Sequence, residues 1–258
     1  MSEARLHHIR AGTGPALVLI HGLGASTVVW RPVIDRLAAK REVIAVDLPG
    51  FGRSPQPGDG FVPSAAALAS ELVAFLGELG VERPHLAGNS LGGWVALEAA
   101  KGGGAESVAA ISPAGLWREP LGPRRYDTHA IGNRLAPVVR TLLRSPRGRA
   151  YLLASTVARP DLVPAADAVE LVNGWLRAPA YAAANAEMRA GVFEGAEAVE
   201  VPVAIAWGQR DRIVGRPSRS RRPPRTRYLE MPGWGHTPTW DDPEGVARFL
   251  LRYSGEGL

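Results

Sequence analysis

Short apolar runs along the chain alternate with longer stretches in which apolar residues recur every three or four positions. Ala16-Leu17-Val18-Leu19-Ile20, Glu42-Val43-Ile44-Ala45-Val46, the run from Glu106 to Ile111 and Val203-Ala204-Ile205-Ala206-Trp207 are nearly continuous in apolar character. Such runs suit parallel strands buried on both faces. Leu6 to Ile9 reads as a short edge strand, and Arg225 to Glu230 as the last strand. Between them, Trp30 to Ala39 has helical spacing at Trp30, Val33, Ile34 and Leu37. Pro63-Ser64 opens a helix that runs to Leu79, with Ser64 as N-cap and Gly80 as its end. Pro243 to Tyr253 forms a closing amphipathic helix on Val246, Phe249 and Leu250. Strands alternating with helices predict an α/β fold with a doubly wound, mostly parallel sheet.

The alternation stops between Ala114 and Val199. Helical stretches follow one another there: Ala130 to Leu143, Arg147 to Ala158, Pro164 to Arg177 and Tyr181 to Gly191. No strand-like run separates them. The chain therefore divides into a core of residues 1–113 and 200–258 and a helical insertion, 114–199. Between Asp211 and Tyr228 the expected crossover helix is missing, because Arg216 to Pro224 is rich in Arg and Pro and almost free of apolar residues. That stretch reads as a short exposed helix or an open loop, with no function assigned to it.

Glycine-bearing loops close several strands. Leu86-Ala87-Gly88-Asn89-Ser90-Leu91-Gly92-Gly93 has the G-x-S-x-G form of a strand, a sharp turn bearing Ser, and a helix. Gly88 and Gly92 have no Cβ to collide in so tight a turn. Ser90 is thereby lifted to the tip, and the Leu91 amide opens the helix behind it, where negative charge is favoured. A Gly-Ser-Gly cluster alone is more often a plain turn, so the reading depends on a base, an acid and oxyanion donors elsewhere. Asp211 follows the strand at 203–207 in Gly208-Gln209-Arg210-Asp211, and His236 follows the last strand in Gly233-Trp234-Gly235-His236. The carboxyl ends of parallel strands share one edge, where ligands bind in open α/β folds, so the three side chains can converge there.

With His21-Gly22-Leu23-Gly24 after the second strand and Asp47-Leu48-Pro49-Gly50-Phe51-Gly52-Arg53-Ser54 after the third, the chain resembles the α/β-hydrolase superfamily over nearly its full length. The likeness is to its serine-nucleophile members of carboxylesterase and lipase type. The resemblance implies Ser90 as nucleophile, His236 as general base and Asp211 as the acid that orients it. It also implies the Leu23 and Leu91 amides as oxyanion donors, and the insertion as a lid. The expected reaction is acyl transfer to water, on carboxylic esters first and then thioesters, lactones or amides. His7, His8, His85 and His129 read as surface or core histidines, Asp241 and Asp242 as caps of the last helix, and His21, Asp47 and Arg53 as braces of their loops. The tryptophans read mainly as packing residues. Trp94 and Trp117, with residues of 114–199, are the candidates for the pocket wall.

Two other readings are weighed. Carbon–carbon bond hydrolases share the serine triad and the Gly88-Asn89-Ser90 spelling. They carry Trp after the catalytic His, however, where this chain has Thr237-Pro238, and their oxyanion loop is richer in glycine. A ligand-binding protein on the same fold would not need Ser, Asp and His together. Relatives that open epoxides or dehalogenate use Asp at the elbow, against Ser90 here.

Composition narrows the rest. The 258 residues are 46% hydrophobic and 21% charged, with no cysteine, which excludes disulfides and thiolate chemistry. The net charge is +5, and its basic residues are nearly all Arg, apart from Lys40 and Lys101. They are scattered rather than clustered, which argues against a nucleic-acid partner. No metal-ligand spacing and no phosphate-cradling glycine motif appear, so no metal and no cofactor are expected. Met1 to His8 does not read as a signal peptide, and no apolar run approaches the roughly 20 residues of a membrane span. The expectation is a soluble, cytoplasmic enzyme of a small, apolar substrate, with natural substrate, oligomeric state and lid mobility left open.

Overall fold

The computed structural model describes residues 5–58, 60–123 and 128–255, so residues 1–4 of the amino terminus read above lie outside it. Its strands are β1 (His8–Ala11), β2 (Ala16–Ile20), β3 (Glu42–Val46), β4 (His85–Asn89), β5 (Ser107–Ile111), β6 (Val203–Gly208) and β7 (Arg227–Met231). They form one sheet in the order β1-β3-β2-β4-β5-β6-β7. β1 pairs antiparallel to β3, and the remaining pairs are parallel. The helices are α1 (Arg31–Ala38), α2 (Ala65–Glu78), α3 (Leu91–Lys101), α4 (Thr128–Arg134), α5 (Ala136–Leu143), α6 (Pro146–Leu152), α7 (Ala165–Arg177), α8 (Tyr181–Ala190) and α9 (Pro243–Arg252).

The two-residue period of a strand sorts its side chains between two cores. Leu17 and Leu19 join Val33 and Leu37 of α1 and Val246 and Leu250 of α9 on one face. Val18 and Ile20 join Leu68 and Leu72 of α2 and Val95 of α3 on the other. That two-sided burial is why these strands read as unbroken apolar runs. Ser64 caps α2 through the Ala67 amide at 3.2 Å.

Several boundaries differ from the pattern, each for a local reason. The stretch expected as one helix over 130–143 is interrupted at Leu135, because Pro137 has no N–H to continue the ladder. The helix expected to reach Ala158 stops at Leu152, and the Thr156 carbonyl accepts the Thr237 amide instead, at 2.8 Å. The last strand starts at Arg227 rather than Arg225, whose φ of 60° is incompatible with extended backbone. The edge strand is shifted to His8–Ala11, and Leu6 turns into the core. Between Ile111 and Val203 the described residues contain helices and loops and no strand. The Arg/Pro-rich segment is loop with one short 3-10 turn at Arg219–Arg221.

Candidate active site

Chain order and sheet order part company at β2, which has β3 on one side and β4 on the other. A crevice opens outside the carboxyl ends of the strands at such a switch point. The His21-Gly22-Leu23 loop leaves β2 there, and Ser90 leaves β4 beside it.

Ser90 has φ 56° and ψ −119°, a conformation that costs an L-residue about 1–3 kcal/mol and persists only when its surroundings impose it. Its N–H donates to the Ile111 carbonyl at 3.0 Å, and its carbonyl accepts the amides of Gly93, Trp94 and Ala114 at 3.0, 3.2 and 2.9 Å. A Cβ on Gly88 would overlap the Gly92 carbonyl oxygen, and one on Gly92 would overlap the Ile20 carbonyl oxygen. Only glycine at both positions lets α3 start hard against β4 and β2. The backbone of Gly22 also abuts the serine, since a Cβ there would lie 3.1 Å from Ser90 Cβ. Among the described residues neither the Leu23 nor the Leu91 N–H donates a hydrogen bond. The Leu91 amide is one of those that helix geometry leaves unpaired.

His236 and Asp211 meet in the interior. His236 Nδ1 lies 2.8 Å from Asp211 Oδ2, and Asp211 Oδ1 accepts the amides of Ile213 and Val214 at 2.8 and 3.0 Å. Burial by itself would raise the Asp211 pKa. The hydrogen bond and charge of His236, with the two amides, outweigh it and hold the carboxyl below its ordinary value. An ionised carboxylate only accepts, so it holds a proton on Nδ1, and the neutral ring in this tautomer carries its lone pair on Nε2.

No hydrogen bond joins Ser90 Oγ to His236 among the described residues; the two loops are joined one residue upstream, through Asn89. Its buried amide donates to the carbonyls of Ile111 (3.1 Å) and His236 (2.8 Å), and its oxygen accepts the Thr237 hydroxyl at 3.1 Å. The sequence reading gave this residue no role. A polar residue at the end of a buried strand, directly before the elbow serine, was the available signal. Asn89→Ala would leave a buried carbonyl and a hydroxyl unpaired, at about 1–3 kcal/mol each. We expect kcat to fall about 10- to 100-fold with KM little changed. Steady-state kinetics that show an unaltered kcat would remove Asn89 from the positioning of His236.

A model described as the alpha/beta hydrolase family matches residues 17–249. The chain belongs to this family. Epoxide hydrolase EphH of Mycobacterium tuberculosis is 31% identical over 209 residues, covering 75% of this chain and 96% of its own. Among solved structures, a bacterial membrane phospholipase A superposes with a TM-score of 0.74 at 26% identity, covering 96% of this chain and 81% of that one. A thermophilic esterase from Thermogutta terrifontis superposes with a TM-score of 0.70 at 22% identity, over 96% of this chain and 92% of its own, a likeness of fold alone.

The loops around this hydrolase's switch point are braced from below. Asp47 accepts the amides of Thr27 (2.6 Å) and Arg53 (2.9 Å) and faces His7 Nδ1 at 2.8 Å. Arg53 thus serves through its backbone rather than its guanidinium. His21 accepts the Leu48 amide on Nε2 at 2.9 Å and donates from Nδ1 to the Gly22 carbonyl at 2.7 Å. Accepting on Nε2 requires the neutral ring, and burial lowers the His21 pKa against the raising influence of Asp47. Below the ordinary value of 6.5 the unfolded chain takes up a proton that the folded ring resists. This stabilisation is therefore complete above that pH and is lost as the pH falls below it. His85, also lowered chiefly by burial, adds to the same trend. We expect the urea midpoint to fall between about pH 7 and pH 5, and to fall less steeply in His21→Gln. Equal slopes in the two proteins would contradict a neutral, buried His21.

Asp242 caps α9 through the Gly245 amide at 2.8 Å, as expected, but Asp241 does not. Its carboxylate accepts the amides of Gly235 (2.8 Å), Ala158 (3.0 Å) and Arg159 (2.8 Å). It therefore ties the His236 loop to the helical segment. That segment also docks on the opposite rim. Trp175 and Tyr181 fill the space over Gly24, Ala180 donates to the Gly50 carbonyl at 3.3 Å, and Arg31 pairs with Asp167 and Glu170. Trp94 and Trp117 pack edge to face at 5.9 Å, and their indole N–H groups are taken by Glu98 and the Gly191 carbonyl. A groove of about 680 Å³, with Pro202, Val203 and Arg227 in its wall, opens at the amino ends of β6 and β7. It lies at the far edge of the sheet from Ser90 and takes no part in this site. Among the described residues no group of three His, Asp or Glu side chains could hold a metal ion, and no helix is long and apolar enough to cross a membrane.

Proposed function

We propose that this hydrolase cleaves a carboxylic ester, or a similar acyl bond, of a small apolar molecule through an acyl-enzyme on Ser90. The observation that carries the reading is the His236–Asp211 pair, 2.8 Å apart and tethered by Asn89, the residue before Ser90. His236 Nε2 takes the Ser90 proton as Oγ attacks the acyl carbon. The imidazolium then protonates the leaving alcohol, and water repeats the cycle on the acyl-enzyme. Asp211 holds the ring in the tautomer this requires and stabilises its charged form. The Leu23 and Leu91 amides receive the oxyanion, each donor of this kind contributing about 3 kcal/mol in the transition state. None of these steps calls for a cofactor.

Ser90 at the elbow, in place of Asp, disfavours the epoxide opening that the name of the mycobacterial relative describes. The helical segment 114–199 serves in this reading as the lid and the greater part of the pocket wall, and its lining sets substrate choice. A fluorophosphonate probe and short p-nitrophenyl esters test the proposal directly. Labelling confined to Ser90, together with ester turnover, is expected. A protein that neither labels nor turns over would be a binding module on a hydrolase fold.

A further inference from the structure

Helices α4 and α5 carry more apolar surface than they bury. Ala136 and Leu143 are buried, with the half-buried Val139 between them, and α5 packs against α6 and α7. One position ahead of that row runs a second apolar row: Ile131, Leu135, Val138 and Leu142. Backbone bonds from Leu135 to the Ile131 carbonyl (3.1 Å) and from Val139 to the Leu135 carbonyl (3.0 Å) carry the helical rise through the break. Spacings of four, three and four residues then put the second row on one face. Its members are 44–56% exposed, and Tyr151 of α6 is 83% exposed. Apolar side chains are common singly on a surface, but a row along one helix face marks an interaction site.

The charge around the row names the partner. Between Asp127 and Asp161 the arginines are Arg134, Arg140, Arg144, Arg147, Arg149 and Arg159, with no aspartate or glutamate among them, and Arg159 pairs with Asp161 at 3.5 Å. Arg134, Arg144 and Arg147 are exposed. An apolar stripe accompanied by exposed arginines, with a protruding tyrosine, matches a helix lying in the plane of an anionic lipid surface. Its apolar face enters the acyl boundary while its cations meet the headgroups. A second copy of the same patch would instead bring arginine against arginine.

We propose that the outer face of α4–α6 docks on anionic lipid. Docking there would set the roof of the candidate site against the bilayer, since α7 and α8 beneath it cover Gly24, and the stretch after α6 holds the His236 loop through Asp241. The proposal does not depend on the ester reading and can be tested with Ser90→Ala protein.

Cosedimentation with phosphatidylglycerol vesicles and with phosphatidylcholine vesicles reads it directly. We expect binding to the anionic vesicles at least tenfold tighter than to the neutral ones, weakening as salt is raised. Ile131→Ser with Val138→Ser should reduce that binding at least tenfold, with the folded state checked by circular dichroism. Arg144→Glu with Arg147→Glu, both exposed, should do the same without touching a packed residue. No vesicle binding, equal binding to both lipids, or undiminished binding by the Arg144/Arg147 variant would each overturn the proposal. So would a concentration-dependent dimer in lipid-free buffer that the Ile131/Val138 variant abolishes.

Discussion

Ser90→Ala is expected to lower kcat on short p-nitrophenyl esters by about four to six powers of ten and to abolish fluorophosphonate labelling. The size follows from the proposed role: without the hydroxyl no acyl-enzyme would form, and only substrate binding and the two proposed oxyanion amides would remain to assist water. The same substitution is expected to leave the fold in place. The strained backbone at φ 56° is imposed by the contacts of Gly88 and Gly92 and by the amides bonded to the Ser90 carbonyl, none of which uses the side chain. The hydroxyl makes no hydrogen bond among the described residues, so alanine leaves no partner unpaired. Unchanged urea unfolding with lost turnover is therefore the expected pair of results. Retained turnover would move the nucleophile elsewhere.

Asp211→Asn is expected to lower kcat by about four powers of ten. The geometry gives the reason. Oδ1 of residue 211 is fixed by the Ile213 and Val214 amides, so the new amide must keep its oxygen there and turn its NH2 toward His236. A donor facing Nδ1 selects the tautomer with the proton on Nε2, which cannot accept from Ser90. The stabilisation linked to the lowered Asp211 pKa is also removed. In the parent protein that contribution is complete above the ordinary value of 3.8 and is lost as the pH falls below it. The variant's pH–rate profile, with circular dichroism to confirm folding, checks the prediction. Activity within tenfold of the parent would mean that another carboxylate serves His236.

The strands at 16–20 and 42–46 were legible residue for residue, because burial on both faces leaves a short, β-branched apolar run bounded by turn residues. The elbow was legible because its glycines answer a steric demand within one turn. Asn89 and Asp241 were not. Both act on groups far off in the chain, Asn89 on the His236 loop and Asp241 on the Ala158–Arg159 amides. An acid just before a proline-led helix is locally indistinguishable from a cap, and Asp242 beside it is one. The exposed row on α4 and α5 was hidden for a related reason. Periodicity marks an apolar face but does not say how much of that face a neighbour covers.

Local order along this chain, the sheet's alternation and the family to which the protein belongs were thus written in the residues themselves. They rest on turn sterics and on periods of two and 3.6 residues, which need no distant partner. Tertiary structure alone decided which carboxylate ties the His236 loop to the helical segment, which amide binds the two loops together, and where the helical segment leaves apolar surface bare. Those outcomes depend on groups that only the closed fold brings within a few ångströms of one another.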